Sequence, residues 1–257
     1  MILLNNVNKN LKEKLNRLLS YCKRFDITIE SILDEEYNNI KIFVDNLSSP
    51  TIIEIIQGTF IIFAGDADSD VSMEIVKKIP PHYGIQPTNE KWVTLAKKIH
   101  KENLKSSKRF IFSSSNLNKK YLEEIIDSNK FSEFLKRIDL DTASKMSKDK
   151  LQKCHFFNYD SPEDFVRKSF GFCVEKNNEI LAACTACLLS KKSAEISIIT
   201  NPEFRKKGLA TLVAAKFILY CLEHNLTPHW DAANYPSYLL AQKLGYDYID
   251  EYNIYYR

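Results

Sequence analysis

The sequence has almost no excess of either charge: 36 basic and 33 acidic residues among 257 leave a net +3 at pH 7. A clustered basic surplus, the footprint of a protein that grips nucleic acid or an anionic membrane, is therefore missing. The lysine pairs at 77–78, 97–98, 119–120 and 191–192 are dispersed, as on a solvated surface. No run approaches about 18 uninterrupted apolar residues, so no membrane-spanning helix is expected. The N-terminus has no basic stretch followed by a long apolar core, which argues against a secretion signal. A soluble, cytoplasmic protein without nucleic-acid or membrane partners is expected. Glycine is scarce, with six in the chain, and neither GxxxxGK[ST] nor GxGxxG occurs. P-loop and Rossmann nucleotide binding are thereby excluded. Six cysteines suit free thiols in a reducing compartment. Cys184 and Cys187 have CxxC spacing, but no second ligand pair accompanies them, and they lie in the apolar run 180–189. They read as buried strand residues, and no metal is expected.

What is present is ample core material: 44% hydrophobic residues, with 15 Phe and 13 Tyr. The length suits two domains of about 100–150 residues. Leu3, Leu4, Val7, Leu11, Leu15, Leu18 and Leu19 recur at helical spacing and predict an amphipathic N-terminal helix. Apolar runs 51–56 and 59–64 flank Gln57-Gly58 as a hairpin. A helix over 68–78, capped by Asp66 or Asp68, ends at Pro80-Pro81. Another helix covers 89–103, a strand 108–113, and a third helix 117–128. The first half is thus α/β. The chain restarts near residue 131, giving an expected division into domains 1–130 and 131–257. A lysine- and serine-rich helix over 141–153 and one opening at Ser161-Pro162-Glu163 precede three strands, 170–176, 179–189 and 195–200. Their short polar junctions predict an antiparallel meander.

The chemistry-bearing segment follows that meander. After Thr200, Pro202 enforces a turn, and Arg205-Lys206-Lys207 leads to Gly208 and a helix over 209–223. The helix is apolar except for a stripe at Lys216, Tyr220 and Glu223, so it is expected to be buried on most sides. A helix N-terminus carries unpaired N–H groups and positive dipole charge, which suits a phosphate. Gly208 removes a Cβ that would hold a phosphate off the backbone, and Ala210 keeps the next turn small. An ordinary basic strand–helix turn has the same appearance.

Arg205-x-x-Gly208-x-Ala210 is similar to the acyl-CoA signature (Q/R)xxGx(G/A) of the GNAT acetyltransferases. Trp230-Asp231-Ala232-Ala233-Asn234, followed at 243–246 by Lys-Leu-Gly-Tyr, resembles that family's second block. With Phe170-Gly171-Phe172, the helix starting GLATLVAA and the LTPHWDAAN segment, residues 131–257 resemble the subgroup that includes the zwittermicin A resistance acetyltransferase. The resemblance implies a mixed, mostly antiparallel sheet flanked by helices, with strands 195–200 and 227–233 splayed to admit a pantetheine arm. It implies acetyl-CoA as acyl donor and direct transfer to a primary amine of a small-molecule acceptor. The backbone at Ile198, Ile199 and Thr200 would meet the pantetheine. Arg205, Lys206, Lys207, Gly208, Leu209, Ala210 and Thr211 would hold the pyrophosphate. Asn234 and Ser237 would lie on the cofactor's other side, and Asn234 equally suits a helix N-cap.

Glu195 resembles the carboxylate that some family members use as general base, and it also fits a solvent-facing strand start. The family's tyrosine acid would fall at position 241, which is Ala241. Tyr238, almost one turn earlier, is the nearest substitute, with ordinary packing as the other reading. Ser237, Tyr246 and His229 are further candidates for the acid, and His229 reads as a structural strand residue. The missing tyrosine keeps a second function open, a non-catalytic acyl-CoA sensor. Tandem halves are a habit of the family, which implies that residues 1–130 are a diverged half without its cofactor loop. Such a half would wall the acceptor pocket or form a homodimer contact.

Overall fold

A computed structural model describes residues 1–4, 9–19, 26–33 and 39–257. The chain forms two compact units, residues 1–109 with 251–257, and residues 110–250.

The first unit contains β1 (Ile2–Leu3), α1 (Lys9–Leu19), α2 (Asp26–Leu33), β2 (Ile40–Val44), β3 (Ile52–Gln57), β4 (Phe60–Gly65), α3 (Asp70–Lys77), β5 (Gly84–Pro87), α4 (Glu90–His100) and the first part of β6 (Lys105–Ser113). Strands β1 to β4 pair antiparallel in sequence, and β5 joins β4 in parallel. The hairpin expected around Gln57-Gly58 is present, with Gly58 at φ 56°. Ile53, Ile55, Ile62 and Ala64 pack on Leu11, Leu15 and Leu19 of α1. Ile52, Ile61, Phe63 and Ile85 pack on Val76, Trp92, Leu95 and Ala96 of α3 and α4. Because helices cover both faces, these strands read as nearly continuous apolar runs. Two local expectations differ. Leu3 lies in a strand paired with Phe43 rather than on the first helix, which starts at Lys9; Val7 is outside the described residues. Helix α3 is capped by Ser69, whose Oγ accepts from the Ser72 amide at 3.1 Å, rather than by Asp66 or Asp68.

The second unit contains α5 (Lys119–Asp127), β7 (Leu135–Arg137), α6 (Leu140–Lys148), α7 (Pro162–Lys168), β8 (Gly171–Lys176), β9 (Glu179–Leu189), β10 (Ser193–Thr200), α8 (Leu209–Glu223), β11 (Thr227–His229), β12 (Asp231–Ala232), α9 (Tyr235–Lys243) and the first part of β13 (Asp247–Tyr256). One sheet runs β11-β10-β9-β8-β7, antiparallel except for the parallel β10–β11 pair. Helix α8 buries Leu209, Leu212, Val213, Phe217 and Cys221 against Phe172, Val174, Ala182, Cys184 and Ala186. Its other side meets Leu122 of α5 and Trp230, Leu244 and Tyr246. The apolar helix is therefore enclosed nearly all round, as its sequence implies.

The compact units divide at 109/110 rather than near 130. Helix α5 is amphipathic and buries Leu122 in the same cluster as Ala214, Ala215 and Ile218 of α8, which places it in the second unit. Tyr255 and Tyr256 pair with Ile85 and Gly84 of β5, which places the C-terminal segment in the first. The sequence restart at 131 is a 3₁₀ turn over Ser132–Phe134, not a linker. Helix α6 stops at Lys148, short of the expected 153, and a 3₁₀ turn, Gln152–Phe156, follows. Element order repeats along the chain: strand, two helices, a three-strand meander, a helix, a strand parallel to the meander's last strand, a helix and a strand.

Candidate active site

The β10–β11 pairing covers three residue pairs: Ser193↔Thr227, Ala194↔Pro228 and Glu195↔His229. Beyond His229 the chain passes through Trp230 to β12, where Asp231 and Ala232 pair with Ile111 and Phe110 of β6. The segment expected as one strand over 227–233 is thus two, belonging to different sheets. On its other side β10 continues along β9 as far as Thr200↔Ala182. Residues 196–200 consequently have strand partners on one side only among the described residues, and all five are half-buried. The hydroxyl of Thr200 is buried and has no hydrogen-bond partner among the described residues. A register shift between Glu195 and Ile196 sits at the start of this opening. Bulges of this kind bend a strand and re-aim its side chains.

Glu195 and His229 occupy the last in-register pair, and the Nδ1–H of His229 donates to Glu195 Oε2. Their side chains are 15% and 19% exposed. Ala194 is in the cluster under α8 and Ile196 packs against it, so strand alternation points Glu195 away from α8. Trp230 likewise packs toward α8, which turns His229 to the same side as Glu195. Beneath the pair, Tyr246 is buried and its hydroxyl donates to the Pro228 carbonyl at 3.1 Å. Burial, with the nearby Cys221, Cys184 and Glu195, pushes that phenol well above its ordinary range. A proton donor so placed is a poor candidate for the acid.

At the far end of the opening, Asn201 leads into the 3₁₀ turn Pro202–Phe204. Lys206 is left-handed at φ 61° and Gly208 at φ 83°. A non-glycine residue in that region costs roughly 1 kcal/mol, strain of the kind stored at ligand-binding loops. Gly208 is the N-cap of α8 and supplies no side-chain cap. The first helical bond is from the Leu212 amide to Gly208 O at 3.0 Å, so the amides of Leu209, Ala210 and Thr211 have no intrahelical acceptor. Arg205, Lys206 and Lys207 are exposed, and the Lys207 ammonium lies 4.6 Å from the Phe204 ring centroid. An uncapped helix N-terminus flanked by three cations is an anion site in chemical terms.

Across the opening, Asn234 caps α9, accepting from the Ser237 amide at 3.0 Å. The Ser237 hydroxyl accepts from Trp230 Nε1 at 3.2 Å. Tyr238 is half-buried among aromatic rings, with centroids 5.0 Å from Phe110, 5.2 Å from Phe112, 5.5 Å from Tyr235 and 5.6 Å from Tyr248. Ala241 is fully buried beside α8.

The sequence pattern of the GNAT acetyltransferase family matches residues 19–255. The chain belongs to that family. This GNAT acetyltransferase is 30% identical over 247 residues to the uncharacterized N-acetyltransferase YdfB of Bacillus subtilis (strain 168), covering 92% of this chain and 91% of the relative. Its fold is similar to that of a GCN5-related N-acetyltransferase-like protein from Streptococcus suis, with TM-score 0.81, 23% identity, and coverage of 95% and 98%. It also resembles a GNAT-family acetyltransferase from Novosphingobium aromaticivorans at TM-score 0.53 and 13% identity, with coverage of 95% and 98%. The chain is an acyltransferase of mixed α/β GNAT architecture.

One residue of this candidate site escaped the sequence. Asn129 donates from Nδ2 to Gly208 O at 3.3 Å, fixing the loop's left-handed corner, while its Oδ1 accepts from the Phe131 amide at 3.0 Å. Nothing local in the sequence connects positions 129 and 208. His229, in the sequence a candidate acid or a structural strand residue, stands opposite Glu195, a pairing that only the strand register reveals. Cys184 is a fully buried thiol on β9, and burial raises its pKa well above the ordinary value, in keeping with a packed strand residue. Among the described residues no helix is long and apolar enough to cross a membrane.

Proposed function

We propose that the second unit transfers the acetyl group of acetyl-CoA directly to a primary amine of a small molecule. The observation that carries this reading is a one-sided strand edge over 196–200 running into the uncapped, basic N-terminus of α8. Bound acetyl-CoA would supply a thioester carbonyl as the electrophile. The chain's own parts divide the rest. Backbone groups at Ile198, Ile199 and Thr200 orient the pantetheine as an added strand would be oriented. The amides of Leu209, Ala210 and Thr211, with Arg205, Lys206 and Lys207, hold the diphosphate. Asn234 and Ser237 border the other wall, already fixed by the N-cap and by Trp230. Glu195, at the closed end of the opening, is the carboxylate on which removal of the amine proton depends. Tyr238 donates a proton toward the leaving sulfur. A thiol has a pKa near roughly 8.5, so a thiolate leaves near neutral pH without full protonation, and Ala241 is compatible with turnover. A non-catalytic sensor is therefore not the favoured reading. The motifs at 170–172, 208–215 and 226–234 support a place near the zwittermicin A resistance subgroup.

The first unit fits a diverged half of the same architecture. Its element order repeats that of the second, but the loop between β4 and α3 carries Asp66 and Asp68, Asp70 opens α3, and Ser69 caps the helix. Where the second unit presents cations and free amides, the first presents carboxylates and an occupied cap, which repel a phosphate. Amine-dependent release of CoA thiol by the purified chain tests the proposal.

A further inference from the structure

We propose that Asn129 is a positioning residue for the cofactor: it aims the first free amide of α8 and thereby sets the affinity for acetyl-CoA. This rests on the transferase reading above. Asn129 lies just beyond α5 and 79 residues from Gly208 in the sequence, and its side chain joins the two segments. Nδ2–H donates to the Gly208 carbonyl at 3.3 Å, and Oδ1 accepts from the Phe131 amide at 3.0 Å. A carbonyl only accepts and a backbone amide only donates, so these partners fix which end of the side chain faces which. The Asn129 backbone is tied as well. Its amide donates to Ile126 O at 3.2 Å, and its carbonyl accepts from the Ser132 amide at 3.0 Å and the Ser132 hydroxyl at 2.7 Å. The asparagine thus reaches Gly208 from a turn that is itself hydrogen-bonded.

The consequence lies in the geometry of one peptide unit. The Gly208 carbonyl and the Leu209 amide belong to the same planar trans peptide, so they point in opposite directions. Gly208 O accepts from the Leu212 amide at 3.0 Å along the helix and from Asn129 beside it, which engages both of its lone pairs. With the carbonyl held, the Leu209 N–H is aimed out of the helix end. Ala210 and Thr211 continue the helix and leave their amides free at the same mouth.

A glycine needs such an anchor. Gly208 sits at φ 83°, and a residue without a Cβ populates both signs of φ about equally. Released from Asn129, the corner at 207–209 has more conformations open to it, and fewer of them present the three amides together. Apparent affinity then falls in proportion to the fraction of chains in the competent arrangement. Asn129 meets the loop and not the reacting atoms, so its effect falls on binding rather than on the chemical step.

The test is calorimetric titration of the full chain with acetyl-CoA, without amine, in the parent, Asn129→Ala and Asn129→Asp. Alanine removes both side-chain bonds and adds no charge. Aspartate keeps an acceptor for the Phe131 amide, and with it the turn, but has no N–H for Gly208. The two variants share only the lost donor, so weakening of both assigns the effect to it. Kd should rise about tenfold in each, the scale of one hydrogen bond. In steady-state assays KM for acetyl-CoA should rise with Kd, while kcat and the KM for the amine change by less than about threefold. Hydrogen exchange of the Phe131 amide in the parent needs no variant to fold, and it should slow when acetyl-CoA is bound. A Kd within about twofold of the parent in either variant, or Phe131 exchange indifferent to acetyl-CoA, would overturn the proposal. Failure of the parent itself to bind acetyl-CoA would overturn the transferase reading and this role together.

Discussion

Glu195 and His229 face each other across the final register pair of β10 and β11, and their side chains are joined by a hydrogen bond. Beyond them, among the described residues, one strand pairs on one side only and the other changes sheet. Glu195→Gln keeps an acceptor for His229 Nδ1–H and removes the charge. Turnover with a good amine should fall by about 10²–10⁴, with the fold intact by circular dichroism. Steady-state rates decide it, because unaltered turnover would leave Glu195 as a strand residue only.

The loop makes a separate prediction. Gly208 sits at φ +83°, and an added Cβ would approach Asn129 Nδ2 to 3.3 Å. Gly208→Val should distort the corner and withdraw the amides of Leu209, Ala210 and Thr211 from a diphosphate. Acetyl-CoA at about 100 times its Kd should raise parent stability by about 2.7 kcal/mol. The Val variant should lose that gain while still unfolding cooperatively. Equal stabilisation of both proteins in a denaturation series would move the diphosphate elsewhere.

His155 predicts a pH effect on stability. It is wholly buried, its Nδ1 shares a 2.8 Å hydrogen bond with Thr185 Oγ1, and its Nε2 has no partner among the described residues. Burial lowers its pKa from 6.5 to about 3. The unfolded chain therefore binds a proton near pH 6.5 that the folded chain refuses until near pH 3. This contribution to stability is complete above pH 6.5 and is lost as pH falls toward 3, at about 1.4 kcal/mol per pH unit. His155→Gln should have a shallower stability slope between pH 6 and 4.5 by about that amount. Parallel slopes in urea unfolding would contradict the assignment.

Much of the second unit was legible because its signals are local. Asn177-Asn178, both at positive φ, join β8 to β9 where two short polar residues separate apolar runs. Helix α8 spans the expected 209–223 because Gly208 and an unbroken apolar run delimit it. The signals that failed are those requiring distant partners. Ile2 and Leu3 join a strand because β2 offers an edge, which helical spacing cannot show. Helix α5 belongs with α8 through Leu122, a contact separated by about ninety residues of chain. Likewise the Glu195–His229 and Asn129–Gly208 contacts arise from register and turn geometry, so composition alone could not announce them.

Tyr238 offers a test of the leaving-group side. Its ring is held by Phe110, Phe112, Tyr235 and Tyr248, so Tyr238→Phe should leave packing and melting temperature unchanged. If the hydroxyl supplies a proton to the sulfur, turnover should fall by about tenfold or more with acetyl-CoA affinity retained. Parent-like turnover would confine Tyr238 to packing and leave Ser237 or water as the donor.

Amine-dependent acetyl transfer at the opening between β10 and β12 can be followed as the release of free thiol. The purified chain is incubated with acetyl-CoA and a panel of small primary amines, with Gly208→Val beside it. Thiol release above hydrolysis background with at least one amine, a matching acetylated product, and loss of both in the Val variant are expected. Tight acetyl-CoA binding with no amine-dependent release across the panel, or equal release by the Val variant, would contradict it.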